Sequence, residues 1–443
     1  MSNNDIVSRR TLLRGMGAAG LSTSLSGCAL LGNSDDASKD VGSGDNKGQS
    51  EADTSEPVKI AFITFTSGAA SIFGKPSVNA AKLLVEDINK NGGILGQRKI
   101  DAQYIDEAAG TDQMVSTVRR LKTKDDVDAI IGFVSSGDAL AVAPVVDELE
   151  QLTLIYDAGT HQLFEEESYE YVFRTSAHLS VGAIGAARYI DQYMPDVERV
   201  AGINQDYSWG HDNMNIFKAA LKKLRPDIEI VAERFPKLLA KDHTTHISKL
   251  KDAEPDVIFS SFWGGDTVTF TKQAQSQGLL DQTQMIFGGA EHELQDMGKD
   301  MPEDIITGAR GPHAFNYASA NPVQRKFVDA YHNEYDSYPI YPSYHMWQAI
   351  KFYVGAVEKA YNITGSYPTQ DQIVAALEGS SIQGPTGSVA MPNHQAKEPA
   401  LFGRTTHKDG YDFAVMENFK MIPAGLVNPP DGVKTMDWIE QMP

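Results

Sequence analysis

From Val58 to Gly289 the chain alternates short apolar runs with amphipathic segments, and this alternation constrains its fold more than any other feature. "VKIAFITF", "KIDAQYID", "DAIIGF" and "LTLIYD" read as buried strands. Between them, "SVNAAKLLVEDINKNGG" places Ala81, Leu84, Val85 and Ile88 on one helical face and stops at Gly92. "TDQMVSTVRRLKTKD" does the same with Met114, Val115, Val118 and Leu121, and "DALAVAPVVDELE" supplies a third helix. The pattern restarts near Arg199, with strands "RVAGIN", "DIEIVAERF", "DVIFSSF" and "QMIFGG" separated by helices "NMNIFKAALKKL", "THISKLK" and "DTVTFTKQAQSQG". Repeated units of this length require parallel sheets covered by helices on both faces, an α/β architecture in two bodies. Two long helices follow, "NPVQRKFVDAYHNEY" and "YHMWQAIKFYVGAVEKAY", then short strands near "SVAM" and "DFAVM".

A length of 443 residues exceeds one ordinary core, and 41% hydrophobic residues with 9% aromatics are those of a folded protein. The formal charge of −20 argues against nucleic acid as a partner. A single cysteine, Cys28, excludes an internal disulfide and a thiolate metal cluster. Its setting gives it meaning. "SRRTLL" resembles a twin-arginine export signal and "LSGC", ending at Cys28, resembles a lipoprotein cleavage site, so residues 1–27 are expected to be removed and Cys28 lipidated. Residues 28–57 are rich in Asp, Ser, Gly and Asn and read as an acidic tether. The expectation is an exported protein held at the outer face of the cytoplasmic membrane, or in the periplasm, by its lipid alone.

In open parallel sheets ligands bind beyond the carboxyl ends of the strands. The loops to inspect are therefore 66–74, 133–138, 157–162, 206–211, 262–266 and 288–293. "GFVSSGD" places Ser135 and Ser136 at a helix start, where hydroxyls and free N–H groups suit a carboxylate. Ser136 is either a helix cap alone or a cap that also touches a ligand, and Ser135 is open between ligand contact and local backbone bonding. The Gly-x-Ser-x-Gly spacing of a serine nucleophile is absent, so no enzyme is expected. "YDAGT" offers a close backbone approach and the Thr160 hydroxyl. Tyr207, Trp209 and Trp263 are either cleft walls or core, and Glu291 could hold an ammonium. His243 and His246 lack a third ligand and read as solvated, so no metal is expected; no phosphate-binding glycine loop is present and no cofactor is expected.

The stretches "NAAKLLVEDINKNGGILGQ", "VDAIIGFVSSGDALAVAPV", "YVFRTS", "NQDYSWG" and "FVDAYHNEY" are similar to those of the solute-binding proteins of branched-chain amino-acid ABC transporters, over about Val58 to the C-terminus. That resemblance implies the type I periplasmic-binding-protein fold: two Rossmann-like lobes with parallel sheets, joined by three hinge crossings, closing on a ligand. It places one lobe at 58–176 and 314–402 and the other at 177–313 and 403–443. By the same resemblance Ser136 meets a ligand carboxylate, Thr160 and the backbone at Ala158 grip an amino-acid head group, and Phe73, Trp209 and Trp263 line the cleft; Gly159 and Tyr207, in the same loops, are further candidate contacts. Glu291 is then the partner of the α-ammonium. Asp157 departs from the family, which has a small residue or proline there. The expected function is capture of an amino acid of the branched-chain kind, or a similar small carboxylate, for delivery by a monomer to a permease and ATPase complex. The alternatives are a sensor that presents its solute to a signalling partner and a binder of amides or aromatic acids.

Overall fold

A computed structural model describes residues 56–443. The export signal, Cys28 and nearly all of the tether lie outside the described residues. The first sheet contains β1 (Val58–Thr64), β2 (Ile100–Asp106), β3 (Ala129–Gly132), β4 (Thr153–Ile155) and β5 (Val172–Arg174). Its order is β2-β1-β3-β4-β5, and every pairing is parallel. Strand β3 is buried at all four positions, as a strand covered on both faces must be. Helices α1 (Ser71–Lys90), α2 (Thr111–Arg120) and α3 (Ser136–Glu148) connect these strands.

Helix α4 (Leu179–Tyr193) opens the second body. There follow β6 (Arg199–Ile203), α5 (Ser208–Leu224), β7 (Glu229–Arg234), α6 (Thr244–Asp252), β8 (Val257–Ser260), α7 (Gly265–Ser276), β9 (Gln284–Phe287), α8 (Leu294–Met297) and β10 (Ile306–Gly308). The chain then returns to the first sheet through α9 (Pro322–Tyr335), α10 (Tyr341–Thr364), α11 (Gln370–Leu377) and the hairpin β11 (Ser380–Gly384) and β12 (Gly387–Met391). It crosses again to β13 (Ala400–His407), β14 (Ala414–Ile422) and α12 (Thr435–Gln441). The second sheet is ordered β14-β13-β10-β9-β8-β6-β7, with β13 antiparallel to β10 and β14 antiparallel to β13.

Each sheet is packed on both faces. Leu84 of α1, Val357 of α10 and Leu377 of α11 share one core with Phe62 and Ile131, while Met114 of α2 and Val142 of α3 meet Ile63 and Ile130 on the other side. In the second body Ile184, Phe217 and Trp438 cover one face, and Ile247, Phe270 and Leu294 the other. The sheets are linked at residues 175–178, 309–321 and 392–399.

Three expectations change. The boundary placed at 402–403 falls inside β13, which pairs wholly within the second sheet, so the last link ends before Ala400. Helix α1 begins at Ser71, six residues before the expected start, and runs through Pro76. Its first turn fits because residue 74 is glycine: a Cβ there would stand 1.8 Å from the carbonyl oxygen of Phe65. His243, expected in solvent, is fully buried, with Nε2 3.7 Å from the Asp266 carboxylate.

Candidate functional site

The strand order of each sheet reverses beside its first strand, so the loops leaving neighbouring strands diverge and open a crevice. In the first sheet the reversal lies between β1 and β3; in the second it lies between β6 and β8. Phe65, Val134, Ser135 and Ser136 come from the first crevice, and Tyr207, Ser208, Trp209, Phe262 and Trp263 from the second. Together they enclose a cavity of about 470 Å³, a size suited to a small molecule.

One end of the cavity is polar. The Ser135 hydroxyl accepts from Asp138 N at 3.1 Å and caps α3. The Ser136 hydroxyl accepts from Thr160 N at 3.2 Å and ties two loops together. The cap was expected of Ser136; the extended backbone of Ser135 makes it the residue before the first helical turn, and the structure gives it that role. Behind this loop the buried Glu107 carboxyl accepts from Val134 N and Ser135 N, at 2.9 and 2.8 Å. Burial pushes that carboxyl well above its ordinary range, against the pull of the two N–H donors.

The other walls are aromatic. Trp209 Nε1 donates to the Ser261 carbonyl at 3.0 Å, and Trp263 Nε1 donates to the Tyr207 hydroxyl at 2.8 Å, which fixes both indoles. Phe73 packs against Trp263 and Tyr341, with ring centroids 5.5 and 6.0 Å apart. Gly159 is required by this packing: a Cβ there would come 2.7 Å from the Trp209 ring and 3.0 Å from the Arg310 guanidinium.

Arg310 is 8% exposed and lines the cavity. It donates to Asp157 Oδ1 at 3.1 Å, the Asp157 carbonyl at 2.8 Å and the Ala177 carbonyl at 3.0 Å. Its guanidinium carbon lies 5.7 Å from the Trp209 ring centroid and 5.4 Å from that of Tyr341. Burial is the largest influence and opposes its charge, but Asp157, Tyr341 and Glu398 together outweigh it and hold the guanidinium above the ordinary arginine range. His345 turns Nδ1 to Asp157 Oδ1 at 2.6 Å and Nε2 to the Arg310 carbonyl at 2.8 Å. His313, His345 and Glu398 gather ligand-type atoms within 4.8 Å. Both nitrogens of His345 are already engaged, and His313 faces Thr386 Oγ1 and Glu398 Oε2, so hydrogen bonds account for this group.

This arrangement can be compared with known proteins. Residues 57–410 match the model of the periplasmic binding proteins. The chain belongs to the periplasmic binding protein family. It is 26% identical over 351 residues to Leu/Ile/Val-binding protein homolog 8 of Brucella abortus, covering 75% of this chain and 82% of the relative. It is 26% identical over 375 residues to homolog 4 of Brucella melitensis, covering 80% and 85%. Among solved structures, an amino acid ABC transporter substrate-binding protein of Pseudomonas fluorescens superposes with a TM-score of 0.74 at 20% identity, over 85% of this chain and 97% of the other. A solute-binding protein of Rhodopseudomonas palustris, in complex with 3,4-dihydroxybenzoic acid, gives 0.70 at 24% identity over 84% and 99%.

In this periplasmic binding protein the structure brings Phe73, Ser135, Ser136, Gly159, Thr160, Tyr207, Trp209 and Trp263 around one cavity. It does not bring Glu291 there. That carboxyl is buried behind the cavity, where its Oε2 accepts from Tyr341 N at 3.0 Å. The expected ammonium partner is thus turned into a backbone contact with α10, made by a residue fifty positions further on. Ala158 contributes no wall: it is buried, and its carbonyl accepts from Arg174 Nη1 at 3.2 Å. Arg310, Tyr341, Leu179, Gly182, Asp212 and Asn213 also line the cavity and were missed. Arg310 stands two residues past β10, a strand of three residues that the sequence reading did not find, and Tyr341 enters at the start of α10, away from any strand end. Asp212 and Asn213 lie one helical turn beyond Trp209, a signal that the position of Trp209 near the start of α5 did carry.

Proposed function

We propose that this protein is the solute-capturing lipoprotein of an ABC importer. It takes a small carboxylate, an amino acid of the branched-chain kind or a similar acid, between its two lobes and delivers it to the permease. The observation that carries this reading is the cavity itself: serine hydroxyls at the start of α3 at one end, and fixed aromatic walls around the remainder. A carboxylate placed at the first turn of α3 meets free N–H groups and the positive end of the helix dipole. The Brucella relatives are named for leucine, isoleucine and valine, and structural neighbours hold 3,4-dihydroxybenzoic acid and isoleucine, all small carboxylates.

The test is a thermal-shift screen of the purified protein against amino acids, aliphatic acids, aromatic acids and their amides. A ligand that binds only the folded state adds about 2.7 kcal/mol at a hundredfold excess over its Kd, and carboxylates are expected to raise the melting temperature. A protein stabilised equally by acids and amides, or by neither, would refute the reading. Lipid anchoring is tested separately: Cys28→Ser should move the protein from the membrane fraction to the soluble fraction, and retention in the membrane would oppose it.

A further inference from the structure

The loop 157–160 should face an amino-acid head group, and its acceptors decide what the cavity can hold. Each of its carbonyls already accepts a hydrogen bond from the protein. Asp157 O accepts from Arg310 Nη2 and Ala158 O from Arg174 Nη1. Gly159 O accepts from Leu179 N at 2.8 Å, and Thr160 O accepts from Arg174 Nη1. The N–H groups of Asp157, Ala158 and Thr160 are engaged as well, and the positive charge at this end of the cavity is that of Arg310.

The carboxylates around this end are also committed. Asp157 Oδ1 faces both Arg310 and His345, and Glu398 faces His313. Asp212, the other carboxylate on the cavity wall, is the exception: its Oδ2 lies 3.9 Å from His161 Nδ1, beyond hydrogen-bond range, and burial raises its pKa. Glu291 is held by Tyr341 N outside the cavity. Asp157 Oδ2 is buried without a partner among the described residues, but its charge is shared by a guanidinium and an imidazole. Arg174, 2% exposed, adds a second guanidinium behind the same loop, and Arg310 Nε is a buried donor without a partner among the described residues.

Two guanidiniums thus back a loop whose carbonyls are taken, beside one shared carboxylate. A ligand ammonium placed here meets two nearby positive charges, one carboxylate already shared by a guanidinium and an imidazole, and Asp212, whose charged form burial disfavours, so the like-charge meeting is costly. A ligand carboxylate meets the Ser136 hydroxyl, the start of α3 and the cation of Arg310. We infer that the cavity selects carboxylates that lack an α-ammonium group, and that Arg310 is the residue that sets this preference. The inference rests on the reading that the site takes a small carboxylate.

The experiment is titration calorimetry of the full chain with two matched pairs: 4-methylpentanoate against leucine, and 3-phenylpropanoate against phenylalanine. Within at least one pair the deaminated acid should bind about tenfold or more tightly, about 1.4 kcal/mol. In Arg310→Gln the ratio should fall toward one, and in Arg310→Lys, which keeps the positive charge, it should persist. An amino acid that binds as tightly as its deaminated partner overturns the inference and leaves the carboxylate reading intact. Failure of all four acids to bind overturns both. Arg310→Gln retaining the full ratio removes Arg310 from the account. If that variant does not fold, the ratio in the unaltered protein and in Arg310→Lys still decides.

Discussion

The burial of Glu291 makes a measurable claim about stability. Its side chain is 3% exposed, and one backbone N–H is its recorded hydrogen-bond donor. Burial pushes the carboxyl up from 4.5 to about 8, and the Tyr341 N–H opposes that only in part. In the unfolded chain the group loses its proton near 4.5; in the folded protein it keeps the proton until about 8. Unfolding therefore releases a proton between those values, and stability falls as pH rises through them. At about 1.4 kcal/mol per pH unit the full step is worth about 5 kcal/mol, a ceiling that relaxation and water entry would lower. Glu291→Gln keeps an oxygen for Tyr341 N and has no proton to lose. It should match the unaltered protein at pH 4.5 and exceed it in stability at pH 8.5. Urea unfolding of both proteins at the two pH values reads the difference, and other titrating groups cancel between them. A difference that is the same at both pH values, or a Gln variant weaker at pH 8.5, would refute the argument that burial holds this carboxyl protonated.

Three further outcomes follow from named contacts. Ser136→Ala removes a hydroxyl from the polar end of the cavity and should weaken carboxylate binding by about 1–3 kcal/mol in calorimetry. Gly159→Ala drives a methyl group into Trp209 and should lower stability by about 1–3 kcal/mol, read as a fall in melting temperature. Arg174→Met strips donors from Gln395 Oε1, Ala158 O and Thr160 O, and should cost about 3 kcal/mol or more in denaturant unfolding. Unchanged stability in Arg174→Met would show that this guanidinium does not hold the loop.

The strands and amphipathic helices were legible because half-buried helices and buried strands have different apolar periods. Helix α4 escaped for the same reason: "LSVGAIGAARYI" is buried from Leu179 to Ile190, so it shows no polar face. Strands β5 and β10 are three residues each and, unlike the equally short β4 within "LTLIYD", sit in no longer apolar run. The strand-end rule located most of the cavity wall, since each of the inspected loops contributes a residue. It failed at Glu291, which sits in such a loop yet is claimed by α10. It missed Arg310 because β10, two residues before it, was not read as a strand, and it could not find Tyr341, whose place depends on how α10 returns across the two sheets. Ser135 and Ser136 were exchanged in the capping role because a shift of one residue at a helix start leaves the sequence signature the same.

Arg310 lies on the link that leaves β10, and it grips the carbonyl of Ala177 on the link that leaves β5. The same guanidinium lines the cavity. Two of the pivots on which the lobes would turn are thus stapled by the group proposed to select the cargo. A variant that changes which acid is preferred through this residue also changes the stiffness of the pivots, so capture and release rates should shift together with selectivity. Selection for a new solute in this lineage would have to begin elsewhere on the wall, at residues that do not tie the links together.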